Sequence, residues 1–333
     1  ALLNHGVEFS SETDTEVLVK LIEYIKETTN SSTVDAIRSA LKEVIGAFAI
    51  AVIDRDNPDQ LIAARKSSPL VIGLGESGSY LASDATPLVE YTDQVVYLRD
   101  DELAILSRNE PLQVINLDNE PANVDIQTLR MSVSELEKGG YPHFMLKEIF
   151  EQPRTLRDCI RGRVVNNNTE IKLSGIMDNA EAFKNAGRIV IVACGTSWHA
   201  GLIGKRLIQD LGKIAVEVEY ASEFRYSNPV LNSNDIVIAI SQSGETADTL
   251  AAIKLARSKG AMVYGVVNAV GSSIARESDT GTYIHVGPEI GVASTKAFTG
   301  QVTVLAMMAL AIGQLRGTLS KEDTAAIASS IQK

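Results

Sequence analysis

Between residues 188 and 286 the chain repeats one pattern, a short and almost wholly apolar run of β-forming residues followed by a segment of helical character. The runs fall at 188–193, 216–219, 235–240, 262–267 and 282–286. Strands without polar alternation are buried on both faces, and strands that alternate with helices pair in parallel. This half therefore predicts an α/β fold, a five-stranded parallel sheet with helices on both sides. Ligands of such sheets bind where strands end and helices begin. The residues that follow each strand are the first place to look for chemistry.

The first half has another rhythm. Residues 13–28 (Val17, Leu18, Leu21, Ile22, Ile25) and 33–45 (Val34, Ile37, Leu41, Val44, Ile45) carry apolar side chains at the spacing of amphipathic helices. Seven short β-type runs follow, at 47–53, 61–64, 70–74, 79–82, 94–97, 103–106 and 114–117, broken by Asp, Asn, Pro and Gly. Strands so closely spaced pair antiparallel, which makes this half α+β. Polar residues 119–127 and the stretch 132–141, with Gly139 and Gly140, read as a linker, with a boundary near residue 135 and a helix starting near His143. At 333 residues the chain exceeds what one hydrophobic core usually serves, so two domains are expected.

Charge and cysteine usage narrow the function. Thirty-one basic against forty-two acidic residues give a net charge of −11, which disfavours nucleic acid and anionic membranes as partners. No stretch approaches the roughly 20 uninterrupted apolar residues of a membrane span, and the start lacks a signal-peptide layout. Cys159 and Cys194 have no ligand spacing, and His5, His143, His199 and His285 are scattered, so no metal site is expected and a cytoplasmic address is. Residues 1–6 read as the last turn of a helix and Ser320 as the cap of one that runs to the end, so both ends look cut through structure and a longer parent protein is expected.

Two strands end in hydroxyl-rich turns, Cys194-Gly195-Thr196-Ser197 after the first and Ser241-Gln242-Ser243-Gly244-Glu245-Thr246 after the third. Small hydroxyls, the free N–H groups of a helix start and a glycine that lets the backbone approach make a site for a phosphate monoester. The competing account is plain helix capping. A third segment, Gly291-Val292-Ala293-Ser294-Thr295-Lys296, follows the fifth strand and is placed to close over a sugar. GxxxxGK[ST] does not occur, and GxGxxG occurs only at residues 73–78, outside the half that alternates strands with helices, which argues against dinucleotides and nucleoside triphosphates at these turns.

These turns, with Ala221-Ser222-Glu223-Phe224-Arg225-Tyr226 and the run on to Phe298, closely resemble the glutamine–fructose-6-phosphate aminotransferase (isomerizing) family, the glucosamine-6-phosphate synthases. Ser11-Glu12-Thr13-Asp14-Thr15-Glu16 looks like the late part of that family's glutaminase domain, and residues 143–153 look like its interdomain junction. The resemblance implies the C-terminal part of an N-terminal-nucleophile glutaminase over 1–134, a linker with helices over 135–180, a first sugar-isomerase (SIS) αβα domain over 181–320, and at 321–333 the start of a connection to a second such domain. It implies that Thr196, Ser197, Ser241, Gln242, Ser243 and Thr246 hold hexose phosphate, that Val292 and Ser294 line the sugar, and that Asp14 binds the ammonium of glutamine. The residues alone also allow Asp14 to be the cap of a helix starting at Thr15.

The family's cysteine nucleophile, isomerase acid/base groups and imine-forming lysine are expected outside this chain, which leaves it no catalytic residue and no synthase activity of its own. Lys296 and Glu245 are weak substitutes, better read as surface or capping residues, and Trp198 and His199 either line the pocket or pack on the sheet. No cofactor is implied. The substrates would be fructose 6-phosphate and glutamine, the product glucosamine 6-phosphate, and the parent a homodimer. The alternatives are a non-catalytic sugar-phosphate-sensing SIS module and a stand-alone phosphosugar isomerase.

Overall fold

The computed structural model describes residues 2–108, 110–129 and 136–332. Two compact units divide the chain, Ala1–Arg130 and Met131–Lys333, and the boundary expected near residue 135 lies outside the described residues.

In the first unit α1 (Asp14–Thr29) and α2 (Thr33–Glu43) precede β1 (Phe48–Asp54), β2 (Asn57–Lys66), β3 (Val71–Gly75), β4 (Gly78–Ala82), β5 (Gln94–Tyr97), β6 (Glu102–Ser107), β7 (Gln113–Asn116) and β8 (Ile126–Thr128). They form two four-stranded antiparallel sheets, ordered β1-β2-β6-β7 and β4-β3-β5-β8. Strand alternation divides the core: Ile62, Ala64 and Leu103 pack with Ile37 and Leu41 of α2, while Ala63 and Ala104 pack with Ile72 and Val96 of the other sheet. Edge strand β8 overlaps the end of the stretch 119–127 read as linker. Its ends Ile126 and Thr128 are exposed, so it carries no apolar signal, and its partner β5 defines it.

Among the described residues the second unit has, ahead of its parallel sheet, α3 (Phe144–Ile160), β9 (Val164–Val165), β10 (Glu170–Ile171), α4 (Ser174–Met177) and α5 (Ala180–Asn185). Pro153 lies inside α3, and the Ile149 carbonyl that its missing N–H would serve accepts from the Gln152 side chain at 3.1 Å. The parallel sheet follows: β11 (Arg188–Ala193), α6 (Gly195–Gly212), β12 (Ala215–Tyr220), α7 (Ala221–Phe224), β13 (Asp235–Ser241), α8 (Ala247–Ser258), β14 (Met262–Val267), α9 (Ser273–Glu277), β15 (Thr280–Tyr283), α10 (Lys296–Leu315) and α11 (Lys321–Ile331). Strand order is β12-β11-β13-β14-β15, all parallel.

Alternate residues of the buried strands serve opposite faces. Ile189, Ile191, Ile236 and Ile238 meet Ile208 of α6 and Leu305 and Met308 of α10, whereas Val190, Val192, Val237 and Ala239 meet Phe224 of α7 and Leu250 and Ile253 of α8. Gly204 lets α6 and α10 touch, since a Cβ there would stand 2.8 Å from Leu305. Helix α10 has the length and apolarity to cross a membrane, although Lys296, Thr299, Gln301, Thr303 and Gln314 interrupt it. Its apolarity serves the core, in which Val304, Leu305, Met308 and Ile312 are fully buried.

The last strand ends earlier than its apolar run suggests. His285 takes a left-handed φ of 61°, and the Asn268 side chain replaces the next strand pairing, accepting from Val286 N at 3.1 Å and donating to the Gly287 carbonyl at 2.7 Å.

Candidate functional site

Chain direction in the sheet reverses beside β11. From β11 the chain steps outward to β12, then crosses back over β11 to β13 and continues to β14 and β15. The crevice at the carboxyl ends of β11 and β13 is thus the topological switch point, where α/β sheets bind ligands. Both hydroxyl-rich turns open there, because Ala193 and Ile240 are register partners.

After β13 the chain folds back on itself. Ser241 Oγ accepts from Gly244 N at 2.9 Å and lies 3.1 Å from Thr246 Oγ1, and Ser243 Oγ accepts from Glu245 N at 3.2 Å. Gly244 has φ 69° and touches Ser272, whose Oγ would stand 2.0 Å from an added Cβ, so only glycine fits. Ser241 is buried, Gln242 and Thr246 are half-buried and Ser243 is exposed. After β11, Gly195 has φ 56°, Thr196 is exposed and Ser197 is buried.

Capping does not account for these hydroxyls. Thr13, Ser32 and Ser320 each cap a helix by accepting a backbone N–H. At α6 and α8 the cap positions, Cys194 and Thr246, make no such bond. Two helix starts that meet at one crevice therefore keep side-chain caps off their N–H groups, and Thr246 turns its hydroxyl to Ser241 instead.

The third segment joins the same edge. Ala269 N donates to the Gln242 carbonyl at 3.3 Å, and Asn268 beside it holds residues 286 and 287. From there Glu289 fills the start of α10, accepting from Thr295 N at 2.8 Å, Ala297 N at 3.2 Å and Ser294 Oγ at 2.7 Å. Val292 is fully exposed at the tip of the segment.

Several expectations change. Asp14 does not cap its helix: Thr13 does, and Asp14 is the first helical residue, with an exposed side chain. Lys296 is no surface residue. It is 3% exposed, and its ammonium lies 2.7 Å from Glu151 Oε2. Burial acts to raise the Glu151 pKa, and the surrounding cations, Lys296 before Lys147 and Arg154, together more than offset it, so the carboxyl sits below its usual range. Glu245 receives Ser273 N at 2.7 Å, a bond that holds the start of α9. Trp198 stacks on Tyr220 with ring centres 4.3 Å apart and meets His199 edge-on. Arg225 of the Ala221–Tyr226 motif pairs with Asp248 of α8 at 2.8 Å, joining α7 to α8.

Two polar residues beneath the site gave no sequence signal. Gln301, 1% exposed inside apolar α10, donates to Ser197 Oγ at 2.9 Å. Glu148, 2% exposed on α3, accepts from the backbone of Ile290 and Gly291. Among the described residues no group of three or more His, Cys, Asp or Glu side chains is placed to hold a metal ion.

Comparison with known proteins agrees with this architecture. Residues 182–311 match the SIS domain and residues 1–90 a glutamine amidotransferase domain. The glutamine–fructose-6-phosphate aminotransferase [isomerizing] of Bacteroides thetaiotaomicron is 60% identical over 316 residues, which cover 95% of this chain and 52% of that protein. Over nearly all of its length the chain is thus similar to proteins named glutamine–fructose-6-phosphate aminotransferase [isomerizing], and it carries matches to both a glutamine amidotransferase domain and an SIS domain. Its Chlorobaculum tepidum relative of the same name is 53% identical over 97% of this chain and 52% of its own length. The C-terminal domain of glucosamine-fructose-6-phosphate aminotransferase from Francisella tularensis has the same fold over 59% of this chain and 54% of its own, at 39% identity and a TM-score of 0.56. The chain spans about half the length of the curated relatives it matches.

Proposed function

We propose that the protein serves the glutamine-dependent conversion of fructose 6-phosphate to glucosamine 6-phosphate, the first step of amino-sugar synthesis in the cytoplasm, with the parallel-sheet unit holding the hexose phosphate. Ammonia released from glutamine enters the ketose carbonyl, the imine isomerises to the amino aldose, and glutamate leaves. Ser241, Ser243 and Thr246 receive the phosphate, Thr196, Ser197 and Gln242 complete its cradle, and Val292 and Ser294 line the sugar. Asp14 pairs with the ammonium of glutamine, a role its exposed carboxylate suits. The domain spans 1–134, 135–180, 181–320 and 321–333, and a homodimeric parent, belong to the same reading.

The observation that carries the proposal is the pair of helix starts without side-chain caps at the switch point, each beside small hydroxyls. Three or four charge-assisted hydrogen bonds, each about 1.5 kcal/mol net, give a gross gain of about 5 kcal/mol, enough for millimolar to high-micromolar binding. Thermal unfolding of the chain with millimolar glucosamine 6-phosphate, wild type beside Ser243→Ala, tests it. The expected result is a raised midpoint in wild type and a smaller rise in the variant. Equal shifts would remove the phosphate from this turn, and no shift in wild type would overturn the proposal for this chain.

A further inference from the structure

A buried carboxylate needs compensation, and Glu148 takes all of it that the structure shows from one place. Its Oε1 accepts from Ile290 N at 2.6 Å and Gly291 N at 3.1 Å, and its Oε2 lies 3.2 Å from Gly291 N. The contact also dictates the sequence of the loop. A Cβ on Gly291 would stand 2.5 Å from Glu148 Oε2 and 3.3 Å from the Met145 backbone, so any other residue there would push the carboxylate off the two N–H groups. One turn further along α3, Glu151 holds Lys296 at 2.7 Å. Residues 148 and 151 share a helix face and hold the two ends of one segment, 290–296, whose middle carries the exposed Val292 together with Ser294, which donates to Glu289.

We infer that Glu148, supported by Glu151, is a positioning residue that holds segment 290–296 in the conformation that receives the sugar. The inference rests on the phosphosugar reading above and deepens it. A loop fixed beforehand loses less conformational freedom when ligand binds, so its anchor acts on affinity through preorganisation. The carboxylate suits this task better than a hydroxyl or an amide, because both its oxygens accept and neither presents a proton to the converging N–H groups. Glu148 makes no hydrogen bond to the turn after β13, so its effect belongs to the sugar end of the ligand and not to the phosphate.

That division supplies the test. The chain is titrated calorimetrically with glucosamine 6-phosphate and with inorganic phosphate, in wild type, Glu148→Ala and Glu148→Gln. In Glu148→Ala the sugar phosphate should bind about tenfold more weakly while inorganic phosphate stays within about twofold. Glu148→Gln keeps one acceptor and should fall between, and it carries the test if the alanine variant does not fold. Amide exchange in the unliganded variant should quicken over residues 290–297 and stay slow in β13, which separates a loosened loop from a loosened domain. Equal weakening of both ligands, or of neither, would overturn the inference. Absence of binding to both ligands in wild type would overturn the phosphosugar reading and this inference with it.

Discussion

A lysine at the first position of a helix faces the positive end of the dipole, and burying it removes its water as well. Lys296 accepts both penalties, and the Glu151 carboxylate is what offsets them. Because Glu151 also meets Arg154 at 3.1 Å and Lys147 at 3.7 Å, Lys296→Met should cost about 2 kcal/mol, less than the usual loss for a stranded buried partner. Removing both charges in Lys296→Met/Glu151→Leu should recover part of that loss, and urea unfolding of the two variants checks the pair; equal stability of Lys296→Met and wild type would refute it. Gln301→Leu should behave oppositely. It keeps volume and removes a buried amide, so stability should stay within about 1 kcal/mol, while Ser197 loses its donor and glucosamine 6-phosphate binds about fivefold more weakly. An unchanged affinity by titration would separate Gln301 from the site. Neither Gln301 nor Glu148 was legible in the sequence, since their partners lie 104 and 142 positions away and helical spacing says nothing over that range. The hydroxyl turns were legible because all their parts are neighbours in the chain.

Elements divide the same way. Strands β11, β13 and β14 read clearly because both faces are buried, and their runs are apolar apart from Arg188, Asp235 and Ser241 at strand ends. Strand β15 ends early because a side chain, Asn268, takes over its pairing, and β8 exists only through β5, so neither end nor existence was written locally. A similar long-range tie fixes the two leading helices. Asp54 at the end of β1 accepts from Lys26 of α1 at 2.5 Å and from the Thr33 hydroxyl of α2, and these bonds, Lys26 first, hold its pKa down to about 2. The folded value lies below the unfolded one, so the stabilisation is complete above about pH 4 and is lost as pH falls through about 2. Asp54→Asn should cost about 1 kcal/mol at neutral pH and flatten the loss of stability of the first unit between about pH 4 and 2. Amide exchange in α2 across that range measures it, and an unaltered acid limb in the variant would rule out Asp54 as its source.

Across the whole molecule the cores are separate: the clusters behind the parallel sheet draw only on residues after 158, and those of the first unit only on residues before 125. Cooperative unfolding follows shared packing, so each unit should open with its own free energy. A ligand that binds only the folded form of one unit raises the opening free energy of that unit by RT ln(1 + [L]/Kd), which is about 1.8 kcal/mol at twenty times Kd. Glucosamine 6-phosphate should therefore slow the exchange of the most protected amides of β11, β13 and β14 about twentyfold and leave those of β2 and β6 unchanged. Slowing in both sets would mean that the units unfold together, in which case the Asp54 and Lys296 effects must appear in a single transition. Slowing confined to the parallel sheet would make the second unit a self-sufficient binder of phosphosugar, with Ser243→Ala reducing the change in the same experiment.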